Sequence, residues 1–188
     1  MASALHSYLE GAAHAVSATV QLAPEAQKAA EKMWAALQAG GKIVIFGNGG
    51  SAADAQHFAA ELVGRYKAER KALPAIALTT DTSILTAVAN DYAYDRVFAR
   101  QVEALVQSGD VAVAISTSGN SKSVLEAVAA ARARKAFVVG LTGGTGGKLK
   151  GAVDLCLCVP SSETPHIQEG HISLIHAICG WIDEAATK

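Results

Sequence analysis

Lys42-Ile43-Val44-Ile45-Phe46-Gly47-Asn48-Gly49-Gly50-Ser51-Ala52-Ala53-Asp54-Ala55-Gln56-His57-Phe58-Ala59-Ala60-Glu61 passes from a short, β-branched apolar run through a glycine turn into an alanine-rich helix former. Strand, turn and helix in that order form the building unit of a parallel α/β sheet. The turn falls at the helix N-terminus, where unpaired N–H groups and the positive end of the dipole favour an anion. Glycines 47, 49 and 50 leave the backbone open to close approach, and Ser51 adds a hydroxyl donor. His57 and Glu61 are four residues apart, so a helix sets both on one face about a turn beyond the anion site. The stretch reads as a small anion site beside a base or metal site.

Plainer readings compete with that one. A glycine turn capped by Ser51 can be a mere connection, and His57 with Glu61 can be a solvated helix face. Gly47-x-Gly49-x-x-Ala52 also satisfies the loose dinucleotide-binding pattern. The acidic residue that such a site needs about twenty positions on is poorly placed, because Asp81 comes too late.

The same alternation extends outward from this stretch. Helical patterns over 3–20 and 24–39 precede it without a catalytic signature, and Pro24 suits a first helical turn. After the helix predicted over 51–66 come a strand at 75–79, helices at 82–89 and 94–107, a strand at 111–115 and a helix at 121–134. Strands at 136–141 and 154–159 and a last helix through Asp183 complete the series. The pattern predicts an α/β fold whose parallel sheet is covered on both faces. No linker or low-complexity tract divides residues 1–188 into domains. Ligands of such sheets bind beyond the carboxyl ends of the strands, where the glycine turn lies.

The 188 residues are 51% hydrophobic and 18% charged, enough for one well-buried core and sparing enough in charge to suggest surface buried between subunits. With 16 Lys plus Arg against 17 Asp plus Glu, the net charge is -1, which gives no general footprint for nucleic acid. The basic cluster Arg65, Lys67, Arg70 and Lys71, interrupted by Glu69, reads as a solvated loop. No signal peptide or membrane span is legible, so the expected location is cytoplasmic. Cys156, Cys158 and Cys179 read as core residues of a reducing compartment.

Two later segments carry chemistry. Ser116-Thr117-Ser118-Gly119-Asn120-Ser121 follows a strand and opens a helix, repeating the arrangement of the first motif with four hydroxyls in six positions. Two such loops on neighbouring strands would converge on one phosphate-bearing ligand. The glycine-rich run from Thr142 to Gly147 reads as a mobile turn. The stretch from Ser161 to His176 concentrates His166, His171 and His176, three of the six histidines. His171 and His176 do not share a helix face, and about 12 Å of helical rise separates Gln168 from His176.

Together, the 47–57 motif, Thr79-Thr80-Asp81-Thr82-Ser83 with Ala89-Asn90-Asp91-Tyr92, the 116–121 motif, and Ile167-Gln168-Glu169-Gly170-His171 followed by His176 resemble the SIS (sugar isomerase) domain family. The likeness is greatest to its bacterial phosphoheptose isomerases and covers nearly the whole chain. It implies a single-domain, three-layer αβα sandwich with a parallel, flavodoxin-like five-stranded sheet, residues 1–40 forming N-terminal helices used in oligomer packing. It also implies conversion of D-sedoheptulose 7-phosphate to D-glycero-D-manno-heptose 7-phosphate, feeding nucleotide-activated heptose and cell-envelope glycans such as lipopolysaccharide. The assembly implied is a homotetramer with active sites between subunits and one zinc per subunit, with no nucleic-acid or membrane partner.

By the same resemblance the metal ligands are His57, Glu61, Gln168 and His176. The implied substrate contacts are Asn48, Gly49, Gly50, Glu61, Asn90, Asp91, Ser116, Thr117, Ser118, Ser121 and Gln168, to which the helix-terminus argument adds Ser51. His166 stands where resembling sequences often have a basic residue, and both a substrate contact and a surface position are open to it. A ketose to aldose conversion moves a proton between adjacent carbons through an enediol. Glu61 is the expected carbon base and His176 the expected acid or oxygen-proton shuttle, with zinc polarising the carbonyl. A carboxylate on zinc is a poorer base, so the two roles of Glu61 compete. Gln168 and His176 reach one ion only from a bent helix, from a helix starting after Gln168, or from different subunits; the reading favours a bent or shared arrangement.

Relatives in the same family bind sugar phosphates as regulators, and one binds the replication initiator protein. Retention of both Glu61 and His176 favours catalysis over that role. An isomerase of another phosphosugar is the third reading.

Overall fold

The computed structural model describes residues 3–188, so Met1 and Ala2 of the expected 1–188 domain lie outside it. Five parallel strands form one sheet: β1 (Ile43–Gly47), β2 (Ala75–Ala77), β3 (Val111–Ile115), β4 (Phe137–Gly143) and β5 (Leu155–Val159), in the order β2-β1-β3-β4-β5. This is the doubly wound, flavodoxin-like order that the resemblance implied. The helices are α1 (Ala4–Ala18), α2 (Ala23–Gln38), α3 (Gly50–Val63), α4 (Thr82–Asp91), α5 (Ala99–Leu105), α6 (Lys122–Ala133), α7 (Gly147–Ala152) and α8 (Thr164–Ala186).

The apolar runs form strands because alternate side chains feed two cores. Ile43 and Ile45 of β1 join Met33, Phe58, Leu62, Ile175 and Ile178 beneath α2, α3 and α8. Val44 and Phe46 join Val102, Val124, Val128 and Leu149 beneath α5, α6 and α7. The helix α1 lies outside these layers, packed on α8, with Ala15 as its one buried residue. No helix among the described residues is long and apolar enough to cross a membrane.

The order in which strands are added reverses between β1 and β3, which run parallel with Gly47 opposite Ile115. The glycine turn after β1 and the serine-rich loop after β3 therefore emerge side by side at the carboxyl edge, at the switch point where such sheets bind ligands.

Several boundaries differ from the sequence expectation. The first motif helix stops at Val63, because Gly64 caps it and the chain turns away. The strand expected over 75–79 is shortened to Ala75–Ala77. The segment 94–107 breaks into a 3-10 turn, Tyr94–Arg96, and α5. The run 142–147 is a turn only at its centre: Thr142 and Gly143 end β4, Thr142 is fully buried, Gly144 and Thr145 turn, and Gly147 opens α7. Cys179 is a core residue, whereas Cys156 and Cys158 are half-buried on the edge strand β5. Burial pushes the Cys156 thiol up to about 11, which keeps it protonated at neutral pH.

Candidate active site

The glycine turn works because Gly49 adopts φ +58°, a left-handed conformation, and Gly50 then starts α3. Across from it the 116–121 loop turns through Gly119 at φ +64°, where a Cβ would overlap the backbone of Gly146. Between the two loops lies a cavity of about 340 Å³ lined by Asn48, Gly49, Gly50, Ser51, Ser116, Thr117, Ser118, Ser121, Thr164 and Gln168. Nine of the expected substrate contacts thus share one cup that contains no lysine or arginine. Backbone N–H groups, hydroxyls and two helix N-termini make it a neutral anion receptor.

Asn48 fastens the two loops together. Its Nδ2 donates to Ser121 Oγ at 2.8 Å and Ser123 Oγ at 2.9 Å, and its Oδ1 accepts from the Tyr94 hydroxyl at 2.9 Å. Gln168 closes the opposite wall, lying over Gly50 so closely that a Cβ there would collide with its carboxamide. Asn90 and Asp91 end α4, exposed and bonded to each other at 2.9 Å, and neither lines the cup of its own protomer.

One helical turn beyond the cup, α3 and α8 bring His57, Glu61 and His176 together. Glu61 Oε1 is 2.9 Å from His57 Nε2, which is 3.2 Å from His176 Nε2. One ligand atom from each lies within 4.8 Å of the others, a group able to hold a metal ion. Two imidazole nitrogens on a tetrahedral zinc, each about 2.0 Å from the ion, stand roughly 3.3 Å apart, and the His57–His176 separation matches that spacing. Glu61 and His176 meet within one protomer. Gln168 and His176 are carried by the same uninterrupted 23-residue helix, with Gln168 facing the cup and His176 facing His57.

Other polar residues surround this pair of sites. Asp54, one turn before His57, lines a groove of about 370 Å³ with Tyr8, His57, Gln168 and Glu169. Burial pushes its carboxyl up to about 6 against the opposing His57 imidazole, and Asp54 Oδ2 has no partner among the described residues. His166 packs against the Tyr8 ring, with centroids 4.9 Å apart, and faces α1. His171 is structural: fully buried, its Nε2 lies 3.0 Å from the Thr142 carbonyl, and burial lowers its pKa to about 4. The neutral ring donates there.

Sequence reasoning missed Tyr94, Thr164 and Asp54. Asp54 carried a legible signal, its spacing of three from His57; Tyr94 and Thr164 carried none. The basic cluster after α3 is also not simply a solvated loop, since the Arg70 guanidinium is 2% exposed and bound to Asp183 at 2.6 Å. Its partner is too distant in sequence for local charge patterning to reveal.

Comparison with known proteins places these observations among relatives. The model of the SIS domain matches residues 7–143. A phosphoheptose isomerase of Geobacter metallireducens is 56% identical over 168 residues, covering 89% of each chain. The solved phosphoheptose isomerase of Neisseria gonorrhoeae superposes with a TM-score of 0.91 at 49% identity, over 96% of this chain and 97% of that one. That of Francisella tularensis gives a TM-score of 0.92 at 40% identity, over 96% of each.

Proposed function

The chain belongs to the SIS domain family, and from that premise and its own site we infer that it is an aldose–ketose isomerase converting D-sedoheptulose 7-phosphate to D-glycero-D-manno-heptose 7-phosphate. The observation that carries the reading is the placement of Glu61 and His176, with His57, one helical turn from a cation-free phosphate cup. A regulator that only binds sugar phosphates needs the cup but not this acid and base pair.

The cup holds the phosphate through the N–H groups of the glycine turn and the hydroxyls of Ser51, Ser116, Thr117, Ser118 and Ser121. Gln168 spans from the cup toward the reacting carbons and orients the sugar. Glu61 takes the proton from C1 of the ketose while His176 protonates O2, giving the enediol. His176 then accepts the O1 proton, and Glu61 returns a proton to C2, giving the aldose. Held by His57, Glu61 and His176 of one protomer, with Gln168 supplied by a neighbouring subunit because one uninterrupted helix separates it from His176, one zinc per subunit would polarise the carbonyl and stabilise developing charge on oxygen.

The assembly proposed is a homotetramer in the cytoplasm. Leu5 at 77%, Leu9 at 64% and Val20 at 74% exposure leave an apolar face on the N-terminal helices, and α4 buries none of its residues within the protomer. Asn90 and Asp91 would then reach the substrate of a neighbouring subunit.

The test is incubation of the purified protein with sedoheptulose 7-phosphate. Metal-replete protein is expected to form the aldose, and prior chelation to slow it. No turnover by metal-replete oligomer contradicts the reading.

A further inference from the structure

We propose that the segment between α3 and β2 is a clamp that sets the Glu61–His176 separation, with Tyr66, Arg70 and Asp183 as positioning residues. The proposal rests on the isomerase reading of that pair and adds residues that touch neither substrate nor metal.

The last turn of a helix leaves carbonyls without partners. At the end of α3 those of Glu61 and Leu62 are taken by Arg70, whose Nη2 donates to Glu61 O at 2.7 Å and whose Nη1 donates to Leu62 O at 2.9 Å. The same guanidinium donates through Nε to Asp183 Oδ1 at 2.6 Å. Asp183 lies on α8, two turns beyond His176, and its Oδ2 accepts from the N–H groups of Lys67 at 2.7 Å and Ala68 at 2.8 Å. Burial opposes the Asp183 charge, but those two N–H groups and Arg70 together outweigh it and hold its pKa below the usual carboxylate range. The backbone of Glu61 is therefore tied through one planar cation to the helix that carries His176. Lysine lacks the fork needed for three simultaneous directions.

Tyr66 supplies the second half of the clamp. Its ring stacks on the His176 imidazole, with centroids 5.6 Å apart and planes inclined by 25°. Gly180, one turn after His176, lies beside the ring: a Cβ there would stand at ordinary contact, 3.6 Å from Tyr66 Cε1. Rotation of the imidazole away from His57 would break this stack. The clamp thus fixes both the spacing of the two helices and the plane of the acid.

Arg70→Lys disturbs a buried ion pair and folding with it, so the Tyr66 variants decide the matter. Tyr66→Leu is expected to lower kcat for sedoheptulose 7-phosphate by about tenfold or more, since small misplacements of reacting groups are costly, with KM changed less than about twofold. Tyr66→Phe keeps the ring and is expected to keep wild-type kcat, with the thermal unfolding midpoints of both variants recorded alongside. Wild-type kcat in folded Tyr66→Leu, or an equal loss in Tyr66→Phe, overturns the clamp. Absence of turnover by the wild-type protein instead defeats the isomerase reading itself.

Discussion

The proposed phosphate cup has no lysine or arginine in its lining and would put its specificity into individual neutral donors, and Asn48 is the one on which both loops depend. Its amide is spent on Ser121, Ser123 and Tyr94, so it acts as a fastener. Asn48→Asp brings a negative charge beside the phosphate where no lysine or arginine offsets it. The expected outcome is a rise in KM of about tenfold or more, measured by steady-state kinetics, since roughly 1.4 kcal/mol of repulsion suffices for that factor. Glycine and serine spacing made the cup legible in the sequence. What Asn48 binds was not legible, because Tyr94 lies 46 residues away and Ser121 lies 73. His57 and Glu61 were readable as a pair by their helical spacing, whereas their meeting with His176, 119 residues from His57, depends on how α3 packs against α8.

The helix α8 joins every part of the site: Thr164 and Gln168 face the cup, His171 meets β4, His176 faces His57, and Asp183 holds Arg70. The His171 contact predicts a pH dependence. Its folded pKa of about 4 lies below the ordinary 6.5, so between those values the unfolded chain binds the extra proton. Stability therefore falls as pH drops from about 6.5 toward 4, by up to about 3 kcal/mol at a site this buried. Denaturant unfolding at pH 7, 5 and 4 measures the loss, which is expected to shrink in His171→Gln. The five strands were legible because β-branched runs bounded by turns have few alternatives. The six-residue α7 and the break before α5 were not, since short elements take their form from tertiary contacts such as Gly146 against Gly119 and the Phe46–Phe98 stack at 5.8 Å.

In the proposed tetramer each active site is divided unequally between subunits. Glu61 and His176 belong to one protomer, so mixed oligomers of Glu61→Gln and His176→Ala have no complete pair and are expected to stay inactive. Asp91 serves a neighbour in the proposed tetramer, so mixing Glu61→Gln with Asp91→Ala is expected to recover roughly a quarter of wild-type activity if protomers assort randomly around symmetric interfaces. Recovery in the first mixture and none in the second would reverse that assignment. In the proposed tetramer the exposed faces of α1 and α4 would account for the low 18% of charged residues, and composition alone could not say which helices those are. The central claim, proton transfer through an enediol by a protein carboxylate, is tested most directly by running the reaction in D2O and reading C2 of the product by NMR. Wild-type protein is predicted to form the aldose with deuterium at C2, and Glu61→Gln to bind the ketose without forming it. Formation of an aldose with no deuterium at C2 after many turnovers, or normal turnover by Glu61→Gln, would contradict it.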